Sequence, residues 1–412
     1  MKFSTRFQLS LMMFMEFFIW GGWFVTMNSY LTSLGASPSQ IGLAYGTQAL
    51  GAIIAPFIIG LIADRFFAAQ KIMGVIHVIC AGLMYYVSTQ PDFGSFYPII
   101  LIYMILYMPT LALVNAIAFK QMNSPEKQFS FIRVFGTIGW IIAGWVIWWF
   151  AWKDIQLANT FKMTAIVSLL LGIFSFFLPN TPPPKKGTKT SVGEILGLDA
   201  IKLLKDRNFA VFFFSSLLIC IPLAFYYQNA ENFIKTSLDI NNAAFQMTLG
   251  QISETVFILT IPFFLKRFGI KNVMLFSMIA WVLRFGLFAY GDPSGLGVTL
   301  IIVSCIVYGM AFDFFNISGS LFVETTTDAS IRSSAQGLFM MMTNGVGAYL
   351  GSKISGWVNE KYFTGIDADG KFHSDWHGIW LTYSIYALVV AILFAFMFRH
   401  KHEPEKLGTV SH

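Results

Sequence analysis

Apolar stretches long enough to cross a bilayer recur from one end of this chain to the other, and they leave few folds open. A helix spans the ~30 Å hydrocarbon layer with roughly 20 residues. Windows of about that length select about twelve candidate spans: 9–32, 41–63, 72–90, 97–119, 131–152, 161–179, 208–229, 243–265, 272–291, 297–319, 334–357 and 377–398. Of the 412 residues, 56% are hydrophobic and 12% charged, which is too little polar surface to solvate so many apolar segments in water. In lipid the backbone must satisfy its own hydrogen bonds, so the expectation is an all-α polytopic membrane protein. Lys2 and Arg6 precede the first window as they would in a signal peptide, but the window is too long and lacks a small-residue cleavage site. It is expected to remain as a span.

Charge is distributed by topology. About twenty Lys and Arg fall at the amino end, in alternate loops and in the tail, against about five in the opposite loops, which predicts both termini to be cytoplasmic. The rich side includes Arg65, Lys71, Lys120, Lys127, Lys185, Lys186, Lys266, Arg267, Lys271, Arg399 and Lys401. The net charge of +6 therefore needs no nucleic-acid partner. Cys80, Cys220 and Cys305 all lie inside windows and offer neither a disulfide framework nor metal-ligand spacing. No P-loop or other cofactor motif is present, and no nucleophile, base and metal set suggests an enzyme.

The longest polar stretch, LPNTPPPKKGTKTSVGEILGLDAIKLLKDRN, separates the sixth window from the seventh. Its prolines favour extended backbone, while Val192, Ile195, Leu196, Ile201 and Leu204 suit the apolar stripe of a short surface helix. The predicted organisation is thus a six-helix bundle over 1–179, a cytoplasmic linker over 180–207, a second six-helix bundle over 208–398 and a tail over 399–412. The halves echo each other weakly. Tyr107 precedes Asn115 as Tyr308 precedes Asn316, and each segment is followed by an Ile-Arg pair, Ile132–Arg133 and Ile331–Arg332. Internal repeats with a midplane site between them are common in secondary transporters. After the second window, Gly60, Asp64, Arg65 and Lys71 resemble a degraded form of the cytoplasmic loop motif of the major facilitator superfamily.

Acids inside apolar runs are costly, so they usually face a partner or a water-filled cavity. Gln251, Glu254 and Thr255 share one helical face, suited either to a polar solute or to a packing network. Asp313 shares a stripe with Asn316 and Ser320 among Phe312, Phe314 and Phe315. Partial desolvation favours its taking up a proton near neutral pH, unless it is held in an ion pair, for instance with Arg284. Arg133, Thr137 and Trp140 lie on one face, where the arginine can hold a substrate oxygen or anchor the span. Glu16, Trp20 and Trp23 repeat the pattern; the acid can accept a proton or pair with a base. Pro222 precedes Tyr226, Tyr227, Gln228 and Asn229, a polar segment placed near a predicted kink. His77 reads as a satisfied packing residue, Lys353 as a snorkelling or paired cation, and Gly345, Gly347, Gly351 and Gly356 as sites of close helix contact.

QISETVFILTIPFFLKRFGIKNVM, WVLRFGLFAYGDP, YGMAFDFFNISGSLFVE and SAQGLFMMMTNG closely resemble the nucleoside:proton symporter family of the major facilitator superfamily, as do IWGGW, YMPTLALVNAI, IRVFGTIGW and LGLDA. The resemblance runs through nearly the whole chain. It implies a major facilitator fold of twelve helices in two bundles, and import of purine and pyrimidine nucleosides with protons across a bacterial inner membrane. By motif match it implies substrate binding by Arg133, Thr137, Gln251, Glu254, Phe312 and Asp313, with Gln228 and Asn229 as further members. Glu254, Asp313 and Glu16 are the proton-coupling candidates, although Glu16 stands where the family tends to carry an uncharged amide. Carboxylates and aromatics also suit a sugar or polyol symporter, and a nucleoside receptor that moves nothing is a third reading. No feature specific to a dimer is present, so the partners expected are nucleoside, proton and lipid around a monomer.

Overall fold

The computed structural model describes residues 3–58, 67–122, 125–182, 198–328, 331–366 and 372–401. Nearly all of these are helical. Among them, eight helical stretches are long and apolar enough to cross a membrane.

The first compact unit comprises Met1–Thr190 together with Ile240–Thr248, and the second Ser191–Asp239 with Leu249–His412. Unit 1 carries α1 (Phe3–Gly21), α2 (Met27–Ser33), α3 (Pro38–Ile58), α4 (Ala69–Val87), α5 (Phe93–Lys120), α6 (Pro125–Trp149) and, after a short 3-10 turn, α7 (Ala158–Ser175). Within it α1 packs on α6, α4 on α7 and α3 on α5. Unit 2 carries a 3-10 segment (Leu198–Lys205), α8 (Arg207–Leu238), most of α9 (Ala244–Ala289), α10 (Gly295–Thr326), α11 (Arg332–Met340), α12 (Ala348–Val358) and α13 (Trp376–Met397). π-helical turns at Met341–Gly347 and Asn359–Phe363 flank α12, and Thr364–Ile366 pairs antiparallel with Phe372–Ser374.

Polar caps mark where the apolar runs begin. Asp92 accepts the Ser95 amide (2.9 Å), Asp206 the amides of Asn208 and Phe209, and Asp375 that of Gly378 (3.0 Å), each satisfying a helix-end donor. In the loop before α10, Ser294 binds Asp292 through amide and hydroxyl; these bonds hold the Asp292 carboxyl below the usual range. Two windows, 243–265 and 272–291, fall on α9, which breaks at Gly269; its φ of 76° favours a residue without a Cβ.

The structure changes two expectations. The seventh span does not end near Asn229: α8 runs through Pro222 to Leu238, where Asp239 takes a left-handed conformation. The linker helix forms as a 3-10 segment starting at Leu198, with Ile201 exposed; Val192, Ile195, Leu196, Lys185 and Lys186 lie outside the described residues. Lys353 is exposed. Gly60, Asp64 and Arg65 also lie outside the described residues, so the loop motif is represented by Lys71 alone. Gly347 and Gly351 do meet α8 closely, at Leu217, Cys220, Ile221 and Ala224.

Candidate functional site

In unit 2, helix periodicity and one glycine bring the predicted residues of α9 and α10 together. A Cβ on Gly309 would lie 2.6 Å from the Glu254 amide nitrogen and 2.7 Å from its Cα, so the two backbones meet there. Ser253 donates its hydroxyl to the Ile306 carbonyl and accepts from the Gly309 amide at 3.3 Å. Asp313 lies four residues past Gly309, on the same face of α10, and Gln251 lies three before Glu254 on α9. Gly309→Val should therefore separate α9 from α10, since the displaced neighbour is backbone. Expected is at least a tenfold loss of transport at equal membrane abundance, checked by uptake of labelled substrate; wild-type uptake would show that this contact does not shape the site.

α8 closes the cluster with aromatic surface. The Tyr227 and Tyr308 hydroxyls are hydrogen-bonded, Tyr226 stacks on Tyr308 (5.3 Å), and Tyr308 stacks on Phe312 (5.9 Å, 4° between planes). The half-buried Glu254 acts electrostatically on Tyr226, Tyr227 and Tyr308. Gln228, Asn229, Gln251 and Asp313 are all buried. Asn229 is bound by Phe225, Ser355 and Asn359, the last bond being 3.0 Å from the Asn359 amide to Asn229 Oδ1. The Gln251 side-chain oxygen has no hydrogen-bond partner among the described residues. The stripe of α10 does not act as one unit: Asn316 binds back to Phe312 and Ser320 pairs with Gln336. Nor does Arg284 pair with Asp313; its guanidinium sits among aromatic rings instead.

In unit 1, Arg133 lies with its guanidinium 4.0 Å from the Phe17 ring centre. Thr137 and Trp140 follow on the same face of α6, and Trp140 meets Trp20 edge-on at 5.5 Å, which in turn meets Tyr107 at 6.3 Å. Behind this wall is a fully buried polar network. Glu16 Oε2 lies 2.9 Å from His77 Nε2, Thr110 donates to Glu16 Oε1 at 2.6 Å, and Tyr107 donates to the Glu16 carbonyl at 2.7 Å. His77 Nδ1 lies 3.1 Å from Ser168 Oγ, which donates to the His77 carbonyl at 2.9 Å. Glu16 is thus paired with a base, the second of its two expected roles. His77 is satisfied, as expected, but by an acid that no local spacing indicated. Among the described residues no group of three or more His, Cys, Asp or Glu forms a metal site.

An amphipathic solute with a flat ring and several hydroxyls fits such a set: a ring can stack on the half-buried Phe312, and carboxylates and amides can bond to hydroxyls. Comparison with known proteins narrows the class. Residues 3–403 match the model of the nucleoside H+ symporter family. Xanthosine permease of Escherichia coli (strain K12) is 41% identical, with 98% of each chain covered. The nucleoside permease NupG of the same organism is 39% identical over 99% of this chain and all of its own. A crystal structure of the nucleoside transporter NupG superposes with a TM-score of 0.87 at 38% identity, covering 96% of this chain and 100% of that one.

Proposed function

This chain belongs to the nucleoside H+ symporter family, and on that premise we propose how it imports nucleosides with protons and which residues do so. It is a transporter and not an enzyme, with a fold like that of the major facilitator superfamily. Its twelve spans form two six-helix bundles, over 1–179 and 208–398, joined by a cytoplasmic linker at 180–207 and followed by a tail at 399–412. It works as a monomer in the bacterial inner membrane with both termini in the cytoplasm, binds no nucleic acid, and takes both purine and pyrimidine nucleosides.

The observation that carries the residue assignment is the meeting of Glu254 with Gly309 beside stacked Tyr308 and Phe312. Gln228, Asn229, Gln251, Glu254, Phe312 and Asp313 bind substrate from unit 2, and Arg133 and Thr137 from unit 1. The aromatic planes take the base, and the acids and amides take the ribose hydroxyls. Glu254 and Asp313 exchange the proton; Glu16, paired with His77, is a further candidate. Alternating access then moves nucleoside and proton together. Each proton carried inward gains about 2.3 kcal/mol per 100 mV, which drives accumulation. The scarcity of arginines near the acids argues against a phosphorylated substrate.

Competition tests the substrate class. Unlabelled adenosine should abolish uptake of labelled uridine, while glucose and xylose at the same concentration should leave it unchanged. Inhibition by the sugars instead would move the assignment to a sugar or polyol symporter.

A further inference from the structure

We propose that Arg284 is a positioning residue for proton exchange: a fixed buried cation that the Glu254 carboxylate balances whenever its proton has left. The inference rests on Glu254 being a proton-exchanging acid, and it adds a residue that touches neither substrate nor proton.

Arg284 is fully buried, and none of its three guanidinium nitrogens makes a hydrogen bond of normal geometry among the described residues. The Tyr226 hydroxyl interacts with it electrostatically without meeting that geometry. The guanidinium instead lies 3.9 Å from the ring centre of Tyr226, 4.8 Å from Tyr308, 5.1 Å from Trp281 and 5.7 Å from Phe288. Arginine keeps its charge even when buried. Cation–π contact offsets only part of the desolvation cost, so the cation calls for a negative partner.

The neighbouring elements supply few titratable candidates. α8 brings Tyr226 and Tyr227, α9 brings Glu254, and α10 brings Cys305 and Tyr308, with Asp313 further along. α13 packs Trp380 and Ser384 against this stretch of α9, and neither titrates. The Glu254 backbone meets Gly309, next in sequence to Tyr308, and the Arg284 guanidinium lies 4.8 Å from the Tyr308 ring centre, so both charged residues adjoin the same stretch of α10. Glu254 is the carboxylate that α9 itself contributes to this set. When Glu254 is deprotonated, the interior of the unit is balanced. Proton loading removes that balancing charge, which favours giving the proton up once the site opens inward.

The test is the pH at which uridine binding to the purified full-length protein is half-maximal, measured calorimetrically for wild type and variants. Arg284→Lys keeps the cation and should stay near the wild-type midpoint. Arg284→Met keeps the volume without the charge, so Glu254 should hold its proton to higher pH and the midpoint should rise by about one unit. In a Glu254→Gln background, Arg284→Met should produce no such rise. A wild-type pH profile in Glu254→Gln alone would overturn the assignment of Glu254. A flattened profile there, with an unmoved midpoint in Arg284→Met, would overturn the role of Arg284 and leave Glu254 standing. If Arg284→Met fails to accumulate as folded protein, the double variant with Glu254→Gln should restore accumulation, since no charge is left unbalanced. Failure of that rescue would also overturn the inference.

Discussion

Glu254→Gln is expected to abolish uphill accumulation of nucleoside while folded protein still reaches the membrane. A single proton moving down 100 mV supplies about 2.3 kcal/mol, enough for an accumulation ratio of about fifty. Without an exchangeable proton that ratio should fall to about one. Glutamine retains the shape and an acceptor oxygen, so counterflow between equal nucleoside pools should persist. Asp313→Asn is expected to lose accumulation as well. The variant of the two that retains binding and counterflow but ignores the gradient identifies the acid that carries the proton. Unchanged accumulation in both would discredit the assignment; loss of folded protein in both would indicate that the acids serve packing.

His77→Leu is expected to have the second large effect, on stability. The hydroxyl proton of Ser168 is committed to the His77 carbonyl, so Ser168 Oγ accepts from Nδ1, which must therefore be protonated. His77 Nε2 and Glu16 Oε2 then lie 2.9 Å apart as a hydrogen-bonded pair. Removing the ring leaves a fully buried carboxyl with Thr110 as its remaining side-chain partner, and breaking a buried pair in this way costs about 3–5 kcal/mol. Thermal unfolding in detergent should show a clear drop for His77→Leu. Glu16→Gln should be far milder, because its amide can donate to a neutral His77 and its oxygen can accept from Thr110. Equal stability of His77→Leu and wild type would refute the pairing. Loss of gradient dependence in Glu16→Gln would add Glu16 to the coupling acids.

The helical, apolar character was legible because bilayer thickness imposes a length on each apolar run, and eight helical stretches among the described residues are long and apolar enough to cross a membrane. Other features escaped for physical reasons. Tyr226 through Leu238 carry enough polar residues to end a hydropathy window, yet Gln228, Asn229 and Glu231 are buried within unit 2 and α8 continues to Leu238. The π turns at Met341–Gly347 and Asn359–Phe363 leave no periodic mark in so short a segment. The Glu254 and Asp313 faces could be read from i, i+3 and i+4 spacing, whereas the Glu16–His77 pair spans 61 residues and follows no local period. Arg284 was visible as a buried cation, and Trp281 and Phe288 flank it at helical spacing. The decisive Tyr226 and Tyr308 come from other helices, so an ion pair with Asp313 was the simpler expectation.

The central claim is that nucleoside and proton move together through this chain. Labelled uridine uptake into proteoliposomes, with and without an imposed inward proton gradient, tests it most directly. Uphill uptake that collapses on adding a proton uncoupler is the predicted result; uptake that reaches only the external concentration, with or without the gradient, would contradict it.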